Sequence, residues 1–411
     1  MSDPRPAVLL YCEVNRGLGH WVRTAAIARG FSKRFRTVLV CTGDLRDDIE
    51  IPPDVELVRF QRGAHYPCPD RKSGWGADLI EILERVRPDA ILIEYFPFGR
   101  TQSAVYVVPF LRAARTMRPS PLILSSIRDI QEQCLVEQEK FDRRVVQTVN
   151  RLMDGVLVHS DPQLIQLQET FALASELQKP VLHTGFVTSK APATSGEDNT
   201  HTEDTCLISV GGGGGGESVL RVAVRCAKLG LFPSDMTVHI AAGSLTSEEV
   251  WQELIQEAAG LPRLKLTRWI TNMQSEIRKA RVSVSRCGYN TALDLITTGA
   301  RALVIPFVET EEDEQTYRAR KMEAMGVVRV LEENRLTPET LAAEVAATRT
   351  FEPRRLNVDM DGASHTVDLV EAMIQQRRRE STHTTSLAGL SSVNGSLPET
   401  FPVISRNSSP Q

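Results

Sequence analysis

Apolar runs of five to eight residues alternate along the chain with segments whose apolar positions recur at helical spacing. Residues 7–14 (AVLLYCEV) predict a buried strand, and Val22, Ala25, Ala26, Ala28 and Phe31 then mark one face of a helix. Further strands are expected at 37–41, 55–60, 90–95, 122–127, 155–159 and 181–186, with helices at 77–86, 105–116, 140–153 and 162–171. Strands that are apolar throughout and alternate with helices belong to a mainly parallel sheet covered on both faces. Residues 189–205 (SKAPATSGEDNTHTEDT) hold no large apolar side chain and read as a linker. A second series follows, with strands at 207–210, 236–241, 264–267, 302–306 and 327–331, another ending at Val284, and helices at 219–229, 251–259, 275–279, 317–325, 338–348 and 367–375. The helix carrying Ala292, Leu293, Leu295 and Ile296 lies between Gly288 and Gly299. From 377 onward the chain is rich in Ser, Thr, Asn and Pro without periodicity, as a disordered tail would be. The expected fold class is α/β: two facing doubly wound domains over 1–188 and 206–376, a linker over 189–205 and a tail over 377–411. The last helix is expected to cross back to the first domain.

Composition narrows the function. Hydrophobic residues make up 41%, enough to bury two real cores. The 48 basic and 52 acidic residues leave a formal charge of −4, so no general basic field invites nucleic acid. Every apolar run is far shorter than the roughly 18 residues of a membrane span. Glu13 and Arg16 interrupt the first apolar run before a leader peptide could form, which points to a cytoplasmic protein. The seven cysteines are odd in number and form no CxxC pair, so neither a disulfide framework nor a zinc site is expected. Cys287 beside the Gly288 turn is a candidate nucleophile, but no histidine lies near it in sequence.

Three stretches carry candidate chemistry. The first loop, Asn15-Arg16-Gly17-Leu18-Gly19-His20, puts His20 at a helix start on the C-terminal edge of a parallel sheet, where ligands bind in such folds. An imidazole there can take a proton from a hydroxyl near neutral pH. His159 and His183 lie at strands as core or edge residues, and His201 and His383 fall in the linker and tail. The second stretch, Gly211 to Gly216, allows backbone N–H groups to approach a ligand closely. It lacks the Lys-Ser/Thr of a nucleotide-triphosphate loop and the acidic strand end of a dinucleotide site. The third runs from Val282 to Ala319. There Gly288 turns a strand into a helix that Asn290 and Thr291 can cap, and such a helix start suits a phosphate. Asp294 lies six residues on, on a face that could meet a ribose, and the carboxylates from Glu309 to Glu314 and Gln315 follow the next strand. Asp359-Met360-Asp361 lies late and outside the expected cleft, so no metal site is expected.

Taken together, Arg286-Cys287-Gly288-Tyr289-Asn290-Thr291, Asp294, Gly299, Pro306, Glu314-Gln315 and Arg318-Ala319 resemble the donor half of a GT-B glycosyltransferase. The resemblance is to the group that contains the lipid-II-forming N-acetylglucosaminyltransferase and, more distantly, to UDP-glucuronosyltransferase-like enzymes, whose two domains are Rossmann-like. It implies that Arg286 and the Gly288–Thr291 helix start, with Gly212, Gly213 and Gly214, hold the donor diphosphate. Asp294 would hold the ribose, Glu314 and Gln315 the sugar hydroxyls, and Trp269-Ile270 would stand where backbone groups read the uracil. The Gly17-Leu18-Gly19-His20 loop is similar to the family's acceptor loop, with His20 as base and Arg16, Gly17 and Gly19 beside the acceptor. Glu94, Arg128 and Asp129 resemble acceptor-side positions of a branch known only as predicted glycosyltransferases. Asn15-Arg16 replaces small residues of the lipid-II enzyme, which implies a different acceptor, and the six-glycine run is longer than usual. The implied activity is inverting, metal-independent and cofactor-free transfer from a nucleotide-sugar, UDP-linked, to a hydroxyl of a lipid-linked or small natural-product acceptor, with room for peripheral membrane contact. A sugar-nucleotide 2-epimerase, a non-catalytic sugar-nucleotide-binding subunit and an NAD-dependent enzyme remain as alternatives.

Overall fold

The computed structural model describes residues 4–13, 19–42, 51–60, 72–99, 101–131, 137–188, 204–211, 215–243, 245–308 and 314–384. Strands β1 (Ala7–Glu13), β2 (Arg36–Thr42), β3 (Val55–Phe60), β4 (Ala90–Glu94), β5 (Leu122–Ile127), β6 (Gly155–Val158) and β7 (Val181–His183) form one sheet in the order β3-β2-β1-β4-β5-β6-β7. Strands β8 (Thr205–Ser209), β9 (Thr237–Ala241), β10 (Leu264–Thr267), β11 (Val282–Ser285), β12 (Ala302–Val304) and β13 (Arg329–Val330) form the second, in the order β10-β9-β8-β11-β12-β13. Every ladder in both is parallel. Each sheet therefore reverses its winding at one place, between β1 and β4 and between β8 and β11.

The period of two along β1 explains how one apolar strand serves two cores. Leu9 and Tyr11 pack with Leu79, Val107, Phe110, Val145 and Val149 from helices α2 (Lys72–Val86), α3 (Ala104–Thr116) and α4 (Gln138–Leu152). Val8, Leu10 and Cys12 point the other way, onto Trp21, Ile27 and Phe31 of α1 (Gly19–Ser32). In the second domain, β8 divides its side chains likewise. Cys206 and Ile208 meet α5 (Glu217–Lys228), α6 (Glu248–Ala258) and α10 (Pro338–Arg349). Leu207 joins the core with α7 (Met273–Lys279), α8 (Tyr289–Thr298) and α9 (Glu314–Ala324). That last core also takes Ile130, Leu164, Ile165 and Phe186 from the first domain, so the domains share an apolar seam.

Two elements differ from the expected pattern. Residues 162–171 do not form an α-helix, because Asp161 Oδ1 accepts Gln163 N at 2.8 Å and closes a turn that sends Leu164 and Ile165 into the seam. Only a short 3-10 turn, Leu167–Glu169, follows. The last helix, α11, spans Gly362–Thr384, starting earlier and ending later than the periodicity suggested. Its later turns are held by charge rather than by apolar spacing, with Arg377 Nη1 on Asp154 at 2.8 Å and Arg378 Nη2 on Asp89 at 2.6 Å. As expected, it crosses back: Val367, Val370 and Ile374 sit in the core beneath β1 and α1. The crossing runs beside residues 186–187. Phe186 N donates to Asp359 O at 2.7 Å, Gly362 N donates to Phe186 O at 3.0 Å, and Val187 and Asp361 form an antiparallel bridge. Gly185 has φ +81°, and a Cβ there would lie 2.4 Å from Asp359 Cγ, so only glycine fits this crossing.

Ile374→Ala opens a cavity between α11 and the first sheet. We expect a loss of about 2–5 kcal/mol, read as a lower urea midpoint for the domain that contains β1.

Candidate active site

Side chains that could do chemistry gather where the two winding reversals face each other, the place where doubly wound sheets leave a crevice. Helix α1 starts on one side and α8 on the other. They are close: a Cβ added to Gly19 would lie 3.9 Å from Asn290 Nδ2.

His20, buried on the first turn of α1, places Nδ1 2.6 Å from Glu94 Oε1 at the end of β4. The carboxylate accepts the Nδ1 proton, and in the neutral ring that leaves the basic lone pair on Nε2. Arg23, one helical turn further along α1, donates from Nη2 to the same Glu94 oxygen. Burial pushes the Glu94 carboxyl up, but the Arg23 charge and the His20 hydrogen bond outweigh it and hold the group at about 2. Directly after Glu94 the chain turns through Tyr95 with φ +61°, a strained conformation for a bulky residue. The Tyr95 ring lies 5.1 Å from the His20 ring and 5.2 Å from the Arg128 guanidinium. Behind Glu94, His159 bridges Ser126 Oγ and Thr184 Oγ1, each at 2.8 Å. Burial, then Arg23, lower it to about 3, so it stays neutral as a core histidine.

Tyr289 begins α8 and ties that helix to the first domain. Its hydroxyl donates to His159 O at 2.8 Å and accepts from Val187 N at 3.2 Å. The guanidiniums of Arg23 and Arg318 lie 5.5 and 5.9 Å from its ring centre. Arg318, on α9, makes a bidentate pair with Asp129 of the first domain, both bonds 2.8 Å, and also reaches Cys287 O and Glu314. Arg128 Nη2 meets the other Glu314 oxygen at 2.9 Å. Burial pushes the Glu314 carboxyl up, yet Arg128 and Arg318 hold it at about 2.

In the second domain Gly288 is the N-cap of α8; Asn290 and Thr291, expected to cap it, lie inside its first turn, and no side chain caps the helix start. Asp294 takes a 2.7 Å bond from Gln274 Nε2. The Gln315 carbonyl oxygen accepts Cys287 N at 3.1 Å and Phe307 N at 3.2 Å, so its side chain ties the turn before α8 to the end of β12. Trp269 is 48% exposed just past β10, with Ile270 beside it.

Several expected site residues hold different posts. Asp129, expected to face the acceptor, is 1% exposed and committed to Arg318. Glu94, expected on the same side, is the partner of His20. Arg286, expected at the diphosphate, donates to Glu333, Ile305 O and Gly215 O and so ties the chain at Gly215 to the end of β12. Cys287 is fully buried and its thiol is pushed up to about 12, no state for a nucleophile. Gly19, His20, Arg128, Tyr289 and Glu314 lie at the junction of the two domains, while Gly288, Asn290, Thr291 and Asp294 belong to the start and body of α8 and Gln315 to the first turn of α9. Arg16, Gly17, Gly212, Gly213 and Gly214 lie outside the described residues. The residue sequence reasoning missed is Arg23; its position three after His20 on one helix face was the available signal. Among the described residues no three His, Cys, Asp or Glu side chains group as a metal site, and no helix is long and apolar enough to cross a membrane.

Residues 207–373 match the Glycosyltransferase family 28 C-terminal domain. A 114-residue stretch is 32% identical to the UDP-N-acetylglucosamine--N-acetylmuramyl-(pentapeptide) pyrophosphoryl-undecaprenol N-acetylglucosamine transferase of Syntrophotalea carbinolica, covering 28% of this chain and 31% of that protein. The chain thus spans about a third of the length of that curated relative. Among solved structures, Acinetobacter baumannii MurG superposes with a TM-score of 0.56 at 16% identity, over 89% of this chain and 100% of that one. A putative UDP-N-acetylglucosamine 2-epimerase from Listeria monocytogenes gives 0.58 at 13%, over 92% and 97%. At such identities the likeness shows the fold, which is GT-B.

Two consequences are measurable. Arg318→Met strands Asp129 in the seam and should cost about 3–5 kcal/mol, most of it regained in Arg318→Met/Asp129→Leu, by chemical denaturation. Glu94 and Glu314 titrate at about 2 when folded against an ordinary 4.5. Depressed carboxylates contribute their full stability above pH 4.5 and lose it as pH falls toward 2, so the unfolding free energy should drop across that window.

Proposed function

We propose that this GT-B chain is a glycosyltransferase that moves a sugar, with inversion and without a metal ion, from a UDP-linked donor to a hydroxyl acceptor. The observation that carries the reading is the His20–Glu94 pair, 2.6 Å apart, opposite the side-chain-uncapped start of α8. In this mechanism His20 Nε2 takes the acceptor hydroxyl proton while Glu94 holds the ring and stabilises the imidazolium that forms. The acceptor oxygen bonds to the sugar C1 as the C1–O bond to the diphosphate breaks, and the bonding pair leaves with the diphosphate. The α8 N–H groups and helix dipole stabilise that leaving charge, the work a cation would otherwise do. Asp294 receives the ribose hydroxyls, Gln315 donates to a sugar oxygen, and Glu314 accepts from a sugar hydroxyl. Trp269 and Ile270 flank the base. The match of residues 207–373 supports the donor half of this reading.

The relative's printed acceptor, a pyrophosphoryl-undecaprenol, makes a lipid-linked acceptor our first choice. A second reading, sugar-nucleotide 2-epimerisation, is favoured by the fold likeness to the Listeria protein.

A thermal-shift panel of UDP-, dTDP- and GDP-sugars should single out a UDP-sugar, with a stabilisation of about 2.7 kcal/mol at a hundredfold excess over Kd. His20→Ala should keep that shift and lose transfer by about 10²–10⁴-fold, with free UDP and a new glycoside as wild-type products. An epimerised sugar nucleotide, or undiminished transfer by His20→Ala, would overturn the reading.

A further inference from the structure

A carboxylate 2.6 Å from a buried imidazole creates a difficulty for a base. The negative charge favours the imidazolium, and a ring that is already protonated cannot take a proton. Arg23 stands where that difficulty would be relieved. Its Nη2 donates to the Glu94 oxygen that faces His20, and lies 3.3 Å from Nδ1. The Arg23 side chain is wholly buried, yet its Nε and Nη1 have no hydrogen-bond partner among the described residues. The Tyr289 ring, 5.5 Å away, offsets part of that cost. Burying a guanidinium with one nitrogen bonded is a poor way to gain stability, so packing alone does not account for it.

Other elements among the described residues also bring charged and aromatic groups toward His20. Glu314 on α9 acts on it through space but is shared between Arg128 and Arg318. His159 beyond Glu94 is neutral. Tyr95 offers a ring at 5.1 Å. Glu94 and Arg23 are the charged groups placed directly at Nδ1 of the ring, at 2.6 and 3.3 Å.

We propose that Arg23 is a positioning residue for the base: it cancels the charge of Glu94, so that the carboxylate fixes the tautomer of His20 without protonating the ring. The inference rests on His20 being the base, but its test does not need turnover. The eight histidines of the full chain, labelled with carbon-13 at Cε1, are titrated by NMR, and the His20 signal is the one lost in His20→Gln. Arg23→Met should raise the His20 pKa by about one to three units, Glu94→Gln should lower it, and Arg23→Met/Glu94→Gln should return it toward the wild-type value. An unchanged or lowered pKa in Arg23→Met overturns the proposal. Should that variant fail to fold, Glu94→Gln and the double variant decide: the double variant must titrate higher, and equal values overturn it. Titrations as expected in a chain that transfers no sugar would uphold the charge balance and sink the transferase reading instead.

Discussion

A guanidinium with 2% of its side chain exposed can sit between two domains only if its nitrogens find acceptors. Arg318 meets that condition with Asp129 from the first domain and Cys287 O and Glu314 from the second. The rest of the crevice depends on this pair. It anchors α9, which carries Glu314 and Gln315, and it fixes the turn that delivers Gly288 and Tyr289 to α8. Three cations, Arg23, Arg128 and Arg318, here face three anions, Glu94, Asp129 and Glu314. The balance is local, because a net charge so deep would be costly. The apolar seam of Ile130, Leu164, Ile165 and Phe186 against α8 and α9 keeps water from screening these pairs.

Much of the fold was legible because a parallel sheet covered on both faces leaves continuous apolar strands, and glycine turns punctuate them. Residues 7–14 and 302–306 could be little else. The segment 162–171 was not legible, since Asp161 competes for the backbone by a two-residue side-chain bond that periodicity does not register. The end of α11 escaped for a related reason: Arg377 and Arg378 find Asp154 and Asp89, residues distant in sequence. In the candidate site, His20 and Gln315 were readable as residue types at helix starts and Asp294 as a carboxylate within a helix. The posts of Glu94, Asp129 and Arg286 were not, because each is set by a partner from another part of the chain. A carboxylate at a strand end looks the same in sequence whether it faces a ligand or a buried arginine.

The division of labour between domains follows from these placements. The first domain carries the His20 imidazole, the Glu94 carboxylate bonded to it and the Arg23 guanidinium on the same oxygen. The second supplies an uncapped helix start and the amide of Gln315. Neither set is complete alone, and Tyr289 is where they meet, with one guanidinium from each domain on its ring.

The paired crossings at Phe186 and Asp359–Gly362 restrict how the two bodies can move. Two backbone passages bonded edge to edge oppose shear and separation, and the Asp129–Arg318 pair and the apolar seam oppose swivelling about the line they share. Tyr289 is bonded to Val187 on that line, so the start of α8 is held at the crossing. The arginine–tyrosine junction is thus a clamp: it fastens the start of α8 to the passage between the domains.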